Sequence, residues 1–150
     1  KTEGEISEEK ATLVLPDDFM NNSGRSLKPL IKTVKAAGRL VVAYDDIDLP
    51  LGKIKISFGR SSGGHKGVES IIKNLKTKDF VRIRIGTSPE GRGSRAKKPK
   101  GDEAVQKFIL GNFRLAEEIA LKIVLKKASE AIGEIISEGR EMAMGKYNSL

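Results

Sequence analysis

The order of apolar and polar positions along the chain predicts strands and helices in alternation. The apolar run at 40–44 is typical of a strand buried on both faces. Residues 53–58 and 80–86 alternate between apolar and polar, which indicates two strands with one polar face each. Shorter strands are expected at 2–6 and 10–15. Apolar residues at helical spacing predict helices at 20–37, 65–75, 102–110 and 115–137.

This alternation predicts an α/β fold, with a single three-layer domain over residues 1–150 and a mixed twisted central sheet flanked by helices. The length suits one domain and is short for two. Residues 87–101 lack periodicity and hold five basic residues against one acid, which predicts a mobile basic loop. The tail after Gly139 is expected to fray.

The composition narrows the classes of function. The formal net charge of +8 favours polyanionic partners such as nucleic acid. The chain has no cysteine, which excludes disulfides, thiolate zinc sites and cysteine nucleophiles within it. No apolar run is long enough to span a bilayer, and the first residues do not resemble a signal peptide. The lack of cysteine also fits a reducing compartment, and no membrane partner is expected.

Three carboxylates follow the apolar run at 40–44. In an extended chain Asp46 and Asp48 project to one side and Asp45 to the other. Asp45 stands where the buried strand is predicted to end, a favoured position for ligand chemistry in open α/β sheets. It can orient a histidine base, or the three acids together can hold Mg²⁺. For Asp46 the simpler interpretation is a polar strand end.

A Ser/Gly-rich loop at 61–64 precedes a predicted helix, and free backbone N–H groups at a helix start attract anions. His65 and Lys66 lie in the first turn, where the helix dipole disfavours cations. His65 is the only histidine, and so the only candidate in this chain for a base near neutral pH, although lone histidines are more often structural. Arg82 and Arg84 share one strand face, which fits solvent or phosphate contacts. The basic loop that follows favours phosphate slightly.

Four segments in this order carry a family resemblance: FMNNSG at 19–24, YDDIDLPLG at 44–52, GGHKGV at 63–68 and FVRIRIG at 80–86. The segment FILGNF at 108–113 fits as well. On these motifs the chain resembles the bacterial-type peptidyl-tRNA hydrolase family, from about Gly4 to Ile136.

The resemblance implies a cytoplasmic, usually monomeric enzyme that needs no metal, cofactor or protein partner and cleaves the ester between peptide and tRNA. It implies that a histidine activates water, that Asp45 supports that histidine, and that Asn21 positions the water and the substrate end. The loop at 87–101 resembles a segment that closes over the substrate. Contacts with the tRNA or the peptide are implied for Phe19, Met20, Asn21, Gly64, His65, Lys66, Val68 and Arg84.

The chain departs from the family's pattern in three respects. The family's catalytic histidine lies on a segment that precedes anything in this sequence, and that segment also carries the family's first strand and first helix. His65 matches the family's other, non-catalytic histidine. An N-terminally truncated member, inactive as given and poorly stable or associating, is therefore expected. Lys66 stands where the family usually has asparagine, and Ser57 replaces a frequent basic residue.

Two alternatives remain open at this stage. One is a relative that binds RNA without cleaving it, which Lys66 and the missing base favour. The other is a Mg²⁺-dependent phosphoryl-transfer enzyme that uses Asp45, Asp46 and Asp48.

Overall fold

The computed structural model describes residues 1–149. Its strands are β1 (Thr2–Ile6), β2 (Glu9–Leu13), β3 (Val41–Pro50), β4 (Ile54–Phe58) and β5 (Val81–Ser88). Its helices are α1 (Ser23–Leu27), α2 (Val34–Ala37), α3 (Lys66–Leu75), α4 (Asp102–Ile109), α5 (Leu115–Ser137) and α6 (Arg140–Tyr147), with 3₁₀ turns at Met20–Asn22 and Arg92–Ser94. Within this part of the chain, no helix combines the length and apolar character that crossing a membrane requires.

The larger sheet has the strand order β3–β5–β4, and β1 and β2 form a separate antiparallel hairpin. β3 and β5 run parallel, with Asp45 opposite Ile85. β4 and β5 run antiparallel, with Lys55 opposite Arg84. The predicted α/β fold with a mixed sheet flanked by helices is confirmed.

One face of this sheet is covered by α3 and α1. Val68 and Ile71 of α3 pack with Leu27 of α1 and with Phe80, all four of them buried. The apolar spacing that predicts α3 from the sequence is the stripe that makes this contact. As a result, the first turn of α3 is held close to the β3 side of the sheet, where Tyr44 joins the same cluster.

The opposite face is covered by α5. Val124, Ala128 and Ala131 are buried against Ile83 and its neighbours on the sheet, and the two alanines allow close approach. The apolar spacing of this helix in the sequence also predicts Ile119 and Ile123 on the inward face, and this prediction is wrong, because they are 59% and 66% exposed. Ile123 precedes Val124 by one residue, which turns it about 100° around the helix and away from the sheet.

The single helix predicted at 20–37 is instead three short pieces. After α1, Pro29 interrupts the chain, since a proline has no N–H to donate and its ring crowds the preceding turn. A new start signal then follows at Thr33, whose hydroxyl accepts the Ala36 N–H at 3.1 Å and caps α2. Gly38 caps the C-terminus of α2, at the position predicted as the helix stop.

Two further expectations need correction. β3 is ten residues long and includes the acids at 45–48, and several of its residues are only half buried. It lies at the edge of the described sheet, which explains why its two faces are not both covered.

The tail after Gly139 is the helix α6, with Ala143 and Tyr147 buried against β4 and α5. Just past α6, the Asn148 side chain pairs with the Ile56 backbone: its Oδ1 accepts the N–H at 2.7 Å, and its Nδ2 donates to the carbonyl at 2.9 Å. This pair closes the β4 edge and explains why the tail does not fray.

Candidate active site

Asp45 and His65 meet where β3 passes the start of α3. The distance from His65 Nε2 to Asp45 Oδ1 is 3.5 Å, and the Asp45 side chain is 42% exposed. The His65 contact lowers the pKa of Asp45 below its ordinary value, and this outweighs the opposing effect of partial burial. Asp45 is therefore an ionised carboxylate that solvent can reach.

The imidazole of His65 is fixed by two further contacts, and the glycine at 67 leaves room for it. Its Nδ1 accepts the Val68 N–H at 3.2 Å and so caps α3. The Tyr44 ring lies at a centroid distance of 4.6 Å, tilted by 55°. A Cβ on Gly67 would lie 3.1 Å from His65 Cε1. Tyr44 was quoted in the motif but given no role by the sequence, since ring packing between a strand and a helix start leaves no local signal.

The turn Met20–Asn22 lies against the same helix start. Gly24 makes this possible, because a Cβ there would come within 2.2 Å of the Ser70 carbonyl oxygen where α1 crosses α3. Met20 reaches the site directly, with its Cγ 3.0 Å from the position of a Cβ on Gly67. Asn21 on the same turn is exposed, and Phe19 is 84% exposed.

The Ser/Gly-rich loop at 61–64 has open space beside Gly64. Gly64 has φ +86° and a Cβ there would meet nothing within 4 Å, so the conformation rather than crowding requires glycine. Ser62 Oγ accepts the Gly64 N–H at 3.2 Å. Lys66 follows on the exposed side of the first turn of α3, and Val68 is buried beneath it.

Arg82 and Arg84 have different environments, although they share a strand face. Arg82 is 1% exposed, and its Nη1 donates to the Ser61 carbonyl at 2.6 Å. The predicted phosphate contact is therefore wrong for Arg82, which anchors the loop from inside.

Arg84 is half buried and pairs with Asp46. Burial opposes its charge, but the hydrogen bond and the charge of Asp46 outweigh burial and raise the pKa of the guanidinium.

The three acids of β3 each face a different partner. Asp45 faces His65, Asp46 pairs with Arg84, and Asp48 pairs with Lys98 from the basic loop. In the range 1–149 no three histidine or acidic side chains are grouped so that they could share a metal ion. The magnesium hypothesis is therefore not favoured, because the pairing separates the carboxylates that it needs.

The loop at 87–101 folds back toward β3 through the Lys98 contact. It contains the turn Arg92–Ser94 and an isolated bridge between Glu90 and Ala96. Its mobility stays a prediction.

A cavity of about 550 Å³ opens on the other side of Asp45. Asp45 and Ile85, which face each other in the β3–β5 register, lie on its wall. The sequence did not assign its other lining residues, because they come from β5, from α4, from the turn after it and from α5, and become neighbours of Asp45 only in the fold. They include Thr87, Lys107, Phe108, Asn112, Phe113 and Glu117.

Comparison with known proteins identifies relatives that match nearly the whole chain. A family model described as peptidyl-tRNA hydrolase matches residues 1–150. The chain is 40% identical to a peptidyl-tRNA hydrolase of Thermodesulfovibrio yellowstonii, with 99% of the chain and 76% of that protein covered. It is 38% identical to a peptidyl-tRNA hydrolase of Clostridium tetani, with 98% and 73% covered.

A solved structure gives the same result at the level of the fold. The crystal structure of peptidyl-tRNA hydrolase from Acinetobacter baumannii superposes with a TM-score of 0.83 at 26% identity, over 98% of this chain and 70% of that one. The family model, the identities and the fold agree over essentially the whole chain, and the chain therefore belongs to the peptidyl-tRNA hydrolase family.

Proposed function

We propose that this protein hydrolyses the ester bond that joins a peptide to tRNA. The observation that carries the proposal is the carboxylate of Asp45, ionised and reachable from solvent beside the first turn of α3. Membership in the family supports this type of reaction. The Asp45 carboxylate is the group that we propose takes part in it.

In the proposed reaction Asp45 supports a histidine base. A carboxylate next to an imidazole fixes its tautomer and stabilises the imidazolium that forms when water is deprotonated. Asn21 orients the water and the ester, since its exposed amide lies on the turn that packs against the start of α3. An ester needs no stronger activation than an oriented water and a base.

The tRNA contacts are proposed for the basic groups around this point. Lys66 is exposed at the first turn of α3, Arg84 is half buried beside Asp46, and the basic residues of the loop at 87–101 are exposed. Contacts to phosphates are independent of sequence and suit a substrate whose tRNA varies. A protein acting alone in the cytoplasm as a monomer is part of the proposal.

The base itself is proposed to lie upstream of Lys1. This follows from the resemblance, which assigns His65 to the family's non-catalytic histidine. The 150 residues span 76% of the Thermodesulfovibrio yellowstonii relative, so the proposal needs a longer chain for its test.

The test measures cleavage of an N-blocked aminoacyl-tRNA by two proteins. One is the 150-residue chain, and the other is the same chain extended at its N-terminus by the natural upstream sequence. We expect ester cleavage by the extended protein and none by the shorter one. An extended protein that binds tRNA in a salt-sensitive way but never cleaves the ester would overturn the proposal in favour of RNA binding alone.

A further inference from the structure

Both ring nitrogens of His65 are engaged in contacts within the protein. Nδ1 accepts the Val68 N–H at 3.2 Å, a capping bond that uses the lone pair of this nitrogen. Nδ1 therefore carries no proton when the imidazole is neutral.

The contact at Nε2 leads to the same tautomer independently. This nitrogen is buried, and Asp45 Oδ1 at 3.5 Å is its nearest acidic group, a long contact that falls short of a regular hydrogen bond. A lone pair facing a carboxylate would be repelled, whereas an N–H is attracted to it. Nε2 is therefore the protonated nitrogen, aimed at Asp45.

The ring has little freedom to leave this arrangement. Tyr44 lies beside it at 4.6 Å between ring centroids, and a Cβ built on Gly67 would lie only 3.1 Å from its Cε1. Turning the imidazole over would exchange the nitrogens, give up the cap on α3 and place a carbon opposite Asp45.

We propose that His65 is a positioning residue, locked as the Nε2–H tautomer, which holds the Asp45 carboxylate through Oδ1 and leaves Oδ2 to face the catalytic base. This inference rests on the proposed role of Asp45. It also removes His65 as the base, because a neutral imidazole whose Nδ1 lone pair caps a helix and whose Nε2 carries a proton has no site left to take a proton from water.

Two of the other charged groups near Asp45 are paired within the protein. Asp46 is held by Arg84, and Glu117 on the cavity wall by Arg114. Lys107 lines the same cavity. The lowered pKa of Asp45, for which the His65 contact is the first cause, agrees with an N–H donor at Nε2.

The first test is the tautomer, read by nitrogen NMR of the imidazole. His65 is the only histidine in the chain, so the histidine region of a ¹⁵N spectrum reports on this ring alone. At a pH where the imidazole is neutral, we expect a protonated Nε2 and an unprotonated Nδ1. A protonated Nδ1, or rapid exchange between both tautomers, would overturn the inference.

The second test uses two variants that divide the functions of the ring. His65→Asn keeps an oxygen that can cap α3, but its side chain is too short to reach Asp45. His65→Gln has a longer side chain, whose N–H can still donate toward Asp45. We expect the carboxyl pKa of Asp45, followed by ¹³C NMR, to move upward in H65N and to stay closer to the parent value in H65Q. Ser62→Ala is the control, because the Ser62 hydroxyl contacts Glu69 and the Gly64 N–H rather than the His65 ring or Asp45, and it should leave the pKa of Asp45 unchanged.

Turnover of the extended protein separates this inference from the proposed function. We expect H65N to lower kcat by up to about 100-fold through misplacement of the carboxylate, with partial rescue in H65Q. Equal loss in both variants with an unmoved Asp45 titration would reduce His65 to a helix cap and overturn the inference. Absence of turnover in the parent protein, with the tautomer as expected, would count against the proposed function alone.

Discussion

At the scale of single residues, the candidate site depends on how charged side chains are paired. Asp45, Asp46 and Asp48 lie within four positions, yet each faces a different partner. The sequence showed the three acids but not which partner each of them contacts, because the partners come from α3, β5 and the basic loop. Only Asp45 combines an ionised carboxylate with a neighbouring imidazole, which is why we place the chemistry there.

The lowered pKa of Asp45 predicts a pH dependence of stability. A carboxyl group whose pKa is depressed by folding stabilises the native state above its unfolded pKa, and this contribution is lost as the pH falls through the folded pKa. Replacing Asp45 with Asn should therefore destabilise the protein near neutral pH and much less in acid. Urea unfolding of both proteins across the acidic range measures this, and a difference that stays constant with pH would contradict it.

Arg84 predicts a salt dependence of tRNA binding. Removing one phosphate contact should weaken binding of all tRNAs alike and reduce the slope of log affinity against log salt by about one. We expect this of Arg84→Ala in a filter or anisotropy titration. Arg140→Ala is the matched control, since Arg140 stacks 3.7 Å above the Phe58 ring at the other end of the β4–β5 pairing. Equal slopes for both variants would argue against a tRNA contact at Arg84.

At the scale of elements, two close approaches bring the site together. The crossing of α1 over α3 places the Met20–Asn22 turn beside the first turn of α3, and the parallel pairing of β3 with β5 places Asp45 opposite Ile85. The loop at 61–64 is anchored between them by the buried Arg82. Each of these contacts joins elements far apart in sequence.

Gly24 provides a test of the α1–α3 crossing. Gly24→Ala should destabilise the protein by about 1–3 kcal/mol, because the added Cβ would overlap the Ser70 backbone. Gly145→Ala in α6 is the control, since nothing lies within 4 Å of its added Cβ, and it should be neutral or stabilising by up to about 1 kcal/mol. Denaturant midpoints compare them, and equal effects would mean that α1 adjusts without cost.

The sequence predicts an element well when the residues that determine it are close together along the chain. α3, α5 and the alternating strands β4 and β5 follow from apolar periodicity, and the mixed α/β fold follows from their order. Apolar periodicity does not reveal that one helix ends at Pro29 and that another starts at Thr33. It also does not indicate which apolar stripe of α5 faces the sheet. For the site, the motifs located Asp45 and His65, whereas the buried state of Arg82 and the packing of Tyr44 depend on tertiary contacts.

At the scale of the whole molecule, the protein has both an excess of basic charge and an exposed apolar surface. The net charge of +8 suits a protein that acts on a nucleic acid. Along the N-terminal half of α5, Leu115, Ile119 and Ile123 are exposed at a spacing of four residues and form one apolar stripe. A continuous patch of this kind favours association when nothing else covers it.

The stripe predicts that the 150-residue chain associates with itself as its concentration rises. Ile123→Lys, on the exposed side of α5, should reduce association without unfolding the helix. Ser129→Lys adds the same charge without removing apolar surface and serves as the control. Sedimentation velocity over a range of concentrations measures the effect, and a single monomeric species throughout would contradict it.

The most direct test of the account is the hydrolysis rate of an N-blocked aminoacyl-tRNA by the N-terminally extended protein carrying Asp45→Asn. Loss of the carboxylate that we propose supports the base should lower kcat by about 100-fold or more. Asp48→Asn, which breaks only the exposed contact with Lys98, should leave kcat within a few-fold of the parent. Equal rates for Asp45→Asn and the parent enzyme would contradict the account.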